Sequence, residues 1–173
     1  MGEKKKKQKE SKMKRQIDWN SLVPSDQMKG EDRTETIGLK RLLAEATKFL
    51  SQFKWCKAII QSSLGIGVPG VVGVFLFRIE PTSDDVDDLL WVVVGDLPPA
   101  YLVTDEAPNP ALALDCYVDE MNKWVEAVKA GKPTTGLIPV NASATLEYAK
   151  MLQSRLRFLR REILPYFKKQ LKT

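Results

Sequence analysis

Two apolar segments in mid-chain, VVGVFLFRIE over Val71–Glu80 and LLWVVV over Leu89–Val94, constrain this chain more than any other feature of it. Both are rich in β-branched and aromatic residues. The first is apolar on both faces until Arg78 and Glu80, and the second is apolar throughout. Continuous apolar strands of this kind occupy the centre of a sheet rather than an exposed edge. The linker between them, PTSDDVDD, is acidic and rich in turn residues, which predicts a hairpin. Gly95-Asp96-Leu97-Pro98-Pro99 then breaks the sheet, and Tyr101–Val103 reads as a short third strand.

Helical spacing flanks the hairpin. Leu39, Leu42, Leu43, Ala46, Phe49, Leu50, Phe53, Cys56 and Ile60 recur at gaps of three and four, predicting an amphipathic helix over 37–60 that ends before Gly65. A second helix is predicted over 109–130, capped by Asn109 or Asp105, with Pro110 in its first turn and Gly131 at its end. A third is predicted from about Ala144 to Leu164, with Asn141-Ala-Ser143 as its N-cap and Pro165 stopping or kinking it. Strands that precede paired helices give an α+β domain. The expectation is one such domain over 37–173, a small antiparallel sheet with a central hairpin 71–80/89–94, packed with three amphipathic helices.

Residues 1–36 read as a disordered lysine-rich tail, because they offer too few apolar side chains to offset the entropy of ordering. A patch of Ile17, Trp19, Leu22 and Val23 interrupts that tail and reads as a short hook docked on the domain, with docking to a partner as the rival. Residues 1–15 contain seven Lys and one Arg against two Glu, a net of +6. The remainder carries 19 basic and 20 acidic side chains, so the folded part is close to neutral. The sequence shows neither an apolar run long enough for a membrane span nor a secretory leader, and a cytoplasmic protein is expected.

The chain has no histidine. That removes histidine acid/base catalysis, Ser-His and Cys-His nucleophile pairs and the usual transition-metal sites. No cofactor is expected, and no metal ligand set is assigned. Gly65-Ile-Gly67-Val-Pro-Gly70 matches a dinucleotide fingerprint as a string, but the order predicted around it is helix then strand, the reverse of what a pyrophosphate site needs. It reads as a turn. Cys56 and Cys116 fall in apolar helical stripes and read as core residues.

Three function classes remain. The first is a non-catalytic protein-binding protein recognising another protein through Asp96, Tyr101, Tyr117 and Trp124. The second is an accessory nucleic-acid binder, making weak, sequence-blind contacts through Lys4, Lys5, Lys6 and Lys7 of the tail and Arg157, Arg160 and Arg161 of the last helix. The third is a carboxylate-dependent enzyme with a metal held between Asp96 and the Asp84, Asp85, Asp87, Asp88 cluster.

Trp91-Val-Val-Val-Gly95-Asp96-Leu97-Pro98-Pro99-Ala100-Tyr101, followed by a helix containing Trp124, resembles an uncharacterised family of small bacterial proteins with a W-V-x-x-G-D-L-P strand-end motif. The resemblance covers residues 50–130 and brings no established activity. At the level of fold it implies an immunity-like or accessory protein of a bacterial cell.

Overall fold

The computed structural model describes residues 17–171. It is an α+β fold built on a five-stranded antiparallel meander, in the order β1 (Val23–Pro24), β2 (Cys56–Val68), β3 (Val72–Pro81), β4 (Leu89–Gly95) and β5 (Ala100–Val103). Helix α1 (Arg33–Ser51) covers one face and α2 (Pro110–Lys129) the other. Helix α3 (Leu146–Phe158) packs on α2 and runs through a π-helical turn, Leu159–Ile163, into α4 (Leu164–Leu171).

The central hairpin is as predicted, with β3 and β4 paired from Val72↔Gly95 to Arg78↔Leu89. Its continuous apolar sequence follows from having two covered faces. Phe75, Phe77, Ile79, Leu90, Val92 and Val94 pack with Leu39, Leu42, Ala46 and Leu50 of α1. Val74, Leu76, Trp91 and Val93 pack with Leu114, Tyr117, Val118 and Met121 of α2. A side chain on a strand alternates faces, so a strand with cores above and below must be apolar at every position.

Four expectations are corrected. The first helix ends at Ser51, not near residue 60, and Cys56 and Ile60 belong to the 13-residue strand β2. The segment from Ile17 to Asp32, read as part of a disordered tail, is ordered. Ile17 and Leu22 are buried in one core and Met28 in the other, and Val23–Pro24 pairs with Ser63 and Leu64 of β2. The apolar patch is thus docked on the domain, as the hook reading expected. Thr145, not Asn141–Ser143, caps α3 by accepting a bond from the Tyr148 N–H at 3.2 Å. Finally, of the two outcomes expected at Pro165, stopping or kinking the helix, the first does not occur. The π-helical turn just before it shifts the hydrogen bonding by one residue, with Leu164 N–H donating to the Leu159 carbonyl, and the chain stays helical to Leu171.

The glycine string is also explained by packing. Gly65 and Gly67 lie within β2, and Gly70 turns the chain into β3. A Cβ on Gly65 would meet Pro110 Cβ at 2.4 Å, and one on Gly67 would meet Leu39 Cδ2 at 2.4 Å. These glycines let α2 and α1 approach the sheet from opposite sides.

Candidate functional site

The corner Gly95–Pro99, which joins β4 to β5, is held from three directions. Asp96 N–H donates to the Val71 carbonyl at 3.0 Å. Asp96 Oδ2 lies 3.2 Å from Arg155 Nε on α3. Tyr117 Oη on α2 donates to the Pro98 carbonyl at 2.5 Å. The Asp96 carboxylate thus pairs with a guanidinium across the molecule. Its side chain is 67% exposed, so the pair is solvent-screened. We expect Asp96→Ala to shift the unfolding free energy by less than about 1 kcal/mol, as read by urea denaturation. A larger loss would mark Asp96 as a structural anchor.

Beside this corner a groove of about 670 Å³ runs between α1 and the β2–β3 turn, bringing Arg41, Glu45 and Asp96 together with Ile37 and Pro69. It joins carboxylates and a guanidinium across open surface, without an activated nucleophile.

The acidic loop lies elsewhere. Asp88 immediately precedes β4 and Asp96 immediately follows it, so the length of β4 separates them by roughly 25 Å. That distance overturns the expectation that the two meet. Among the described residues no group of three acidic or cysteine side chains is placed to hold a metal ion. Asp88 instead pairs with Arg78 at 3.6 Å.

Of the four binding candidates, two are core residues. Tyr117 is 0% exposed and Trp124 is 3% exposed, packed edge-on against Tyr148 at 5.9 Å between ring centroids. Neither reaches a partner without unfolding. Both fall at helical spacing with Leu114, Val118 and Met121, so the stripe itself marked them as buried.

Tyr101 is different. It stands 38% exposed on β5, at the end of a connected aromatic group. Phe53 and Trp55 stack at 4.9 Å, and Tyr101 meets their rings edge-on at 5.2 and 4.9 Å, with Phe49 behind Phe53 at 5.2 Å. This group packs over the core beneath α1. Reading 37–60 as one helix hid it, because Phe53 and Trp55 belong to the turn that follows α1.

The sheet's two edges contrast. β2 is guarded on its outer side by β1, by a 2.8 Å bond between the Ser62 and Ser25 hydroxyls, and by three register shifts against β3. It also carries Lys57, paired with Glu80 at 3.3 Å. β5 closes the other side, with no strand beyond it among the described residues. Its register against β4 is unbroken, its four residues include neither charge nor proline, and Val103 is 49% exposed. Bulges, lysines and covering segments are the usual means of blunting an edge. β2 has all three, while β5 is limited only by its shortness, four residues.

The basic candidates divide. Lys4, Lys5, Lys6 and Lys7 lie outside the described residues. Arg160 Nη2 lies 2.7 Å from Asp119 and 3.5 Å from Asp115, and Lys168 lies 3.2 Å from Asp115. Those cations tie the last helices to α2. Arg157 and Arg161 face solvent.

Both cysteines are free thiols. Burial first, then the carboxylates of Glu106, Asp119, Asp115 and Glu120, push the Cys116 thiol above its ordinary pKa, and burial alone raises that of Cys56. A raised pKa means less thiolate at neutral pH, so Cys116 is expected to alkylate more slowly than a free thiol at pH 8. Asp119→Asn should speed it modestly. Labelling faster than the free thiol would contradict this picture.

No helix among the described residues is long and apolar enough to cross a membrane. Comparison with protein-family models, curated proteins and solved structures gave no match for this chain.

Proposed function

We propose that this chain is a non-catalytic protein-binding protein, an adaptor or immunity-like protein of the bacterial cytoplasm, and that it binds through β5 and the aromatic group beside it. The contrast between the two sheet edges carries the reading. One edge is guarded by three devices, while the other presents Tyr101 and Val103 on an uncharged, regular strand. Edge strands recruit partner strands through backbone hydrogen bonds, and exposed aromatics supply much of the energy at protein interfaces.

The nucleic-acid alternative has less support within the fold. Of its three candidates on the last helices Arg160 is already paired with Asp119, which leaves that reading to the tail and to the exposed Arg157 and Arg161. The metal-enzyme alternative loses its geometric premise with Asp96 and the acidic loop at opposite ends of β4.

The test is a nuclease-treated capture from the native host with the full chain and Val103→Lys as parallel baits. The expected result is one stoichiometric protein on the wild-type bait, reduced about tenfold or more on the variant. Equal retention by both baits would remove β5 as the binding surface. Loss on nuclease treatment would shift the weight to nucleic acid.

A further inference from the structure

We infer that the outer face of α3 and α4, together with the lysine-rich N-terminal segment, docks on an anionic lipid surface, lying on the membrane rather than crossing it. The inference goes beyond the β5 reading and uses a different part of the molecule. Met151, Phe158 and Tyr166 are 48%, 47% and 58% exposed. Met151 and Phe158 are seven residues apart, close to two turns of α-helix, so they share a face. Phe158 and Tyr166 are eight apart, and a straight α-helix would rotate Tyr166 off that face. The π-helical turn Leu159–Ile163 takes up the extra residue and returns Tyr166 to the stripe. On the opposite side Ala149, Leu152, Leu156, Leu159 and Leu164 are buried in the core.

Cations border the stripe. Lys150, Arg157, Arg161 and Lys169 are exposed, and none is ion-paired with a described carboxylate, unlike Arg155, Arg160 and Lys168. Glu147 and Glu162 are the exposed acids of the same helices, which leaves the face net positive. The N-terminal segment joins the fold at the same end. Asp18 shares a groove of about 350 Å³ with Phe167, Gln170 and Leu171 of α4, so residues 1–15, with their net of +6, are tethered beside that helix. A segment of that length reaches at most roughly 50 Å, enough to bring its lysines to the surface that meets the stripe. Apolar side chains bordered by cations, with a polybasic segment next to them, match an anionic lipid interface. The rings and the thioether enter the headgroup boundary while Lys and Arg meet the phosphates, and either signal alone anchors weakly. A nucleic acid would engage the cations but leave the stripe uncovered, because its side chains stand roughly 10 Å apart along the helix, too far to stack successive bases.

Co-sedimentation of the full chain with vesicles tests this, using phosphatidylcholine alone and phosphatidylcholine with about 30% phosphatidylserine at about 100 mM salt. The expected result is binding to the anionic vesicles and none to the neutral ones. Tyr166→Asp sits at an exposed position and leaves the N-terminal lysines in place, so it should keep the circular-dichroism spectrum and weaken binding about tenfold. Arg157→Glu combined with Arg161→Glu should weaken it about tenfold or more. Val103→Lys should leave vesicle binding unchanged, and a loss on that variant would place the lipid on β5 and overturn the face assigned here. A chain that does not bind anionic vesicles overturns the inference. So does binding that the α3 and α4 variants leave intact, since the N-terminal lysines alone would then account for it. Binding to a single-stranded oligonucleotide without binding to vesicles overturns it in favour of nucleic acid.

Discussion

Gly95→Ala is expected to destabilise this protein by about 3 kcal/mol or more, read as a lowered urea midpoint. Gly95 ends β4 with φ +137°, a region that side-chain-bearing residues essentially do not enter. The added methyl also has nowhere to go. It would stand 2.3 Å from the Val71 carbonyl oxygen and 2.8 Å from the Val72 Cα, both backbone atoms of the neighbouring β2–β3 hairpin. A flexible side chain could swing aside, but a paired backbone moves only by breaking its own ladder. The control is Gly131→Ala, at φ +66° with nothing within 4 Å of the new methyl, where the cost should be about 1 kcal/mol. Equal costs at the two sites would show that the corner is softer than this geometry implies.

The second large effect is Tyr117→Phe, expected to cost about 1–3 kcal/mol. The change keeps the ring in the core but removes the hydroxyl that donates to the Pro98 carbonyl at 2.5 Å, leaving a buried acceptor without that donor. The loss carries a pH signature. Burial pushes the Tyr117 phenol well above its ordinary pKa of 10, so the folded chain holds this proton where the unfolded chain gives it up. A folded pKa raised in this way contributes stability that is present below pH 10 and falls away as pH rises beyond it. The phenylalanine variant lacks that decline. The stability gap between wild type and Tyr117→Phe should therefore narrow from pH 8 to pH 11. A gap that stays constant would mean the phenol is not protected by burial.

These effects converge on the Gly-Asp-Leu-Pro-Pro corner, whose fixed shape aims β5 outward. Its role was only partly legible in the sequence. The apolar runs of β3 and β4 were readable because both of their faces are covered, so every position carried the same signal. β2 was not readable, because its three register shifts break the alternation that marks a strand. Gln61, Ser62 and Ser63 dilute it further, while Cys56 and Ile60 happen to continue the helical spacing of Phe49 and Phe53. The N-terminal segment has a related history. Its patch of Ile17, Trp19, Leu22 and Val23 stood out as apolar, but a two-residue strand has no period to detect.

The site shows the same division. Of the binding candidates Tyr101 is exposed, whereas Tyr117 and Trp124 are buried, as their own helical stripe indicated. Phe53 and Trp55 went unnoticed because their exposure depends on where α1 stops. The separation of Asp96 from the acidic loop depends on hairpin register, which local composition does not encode.

Hydrogen exchange on the complex reports whether β5 is the binding edge. The full chain would be followed alone and again with its captured partner. The expected result is slowed exchange confined to Ala100–Val103 and the flanking aromatic turn at Phe53–Trp55, with β2 unchanged. Protection that appears instead on the outer faces of α3 or β2, with β5 amides exchanging as in the free chain, would contradict it.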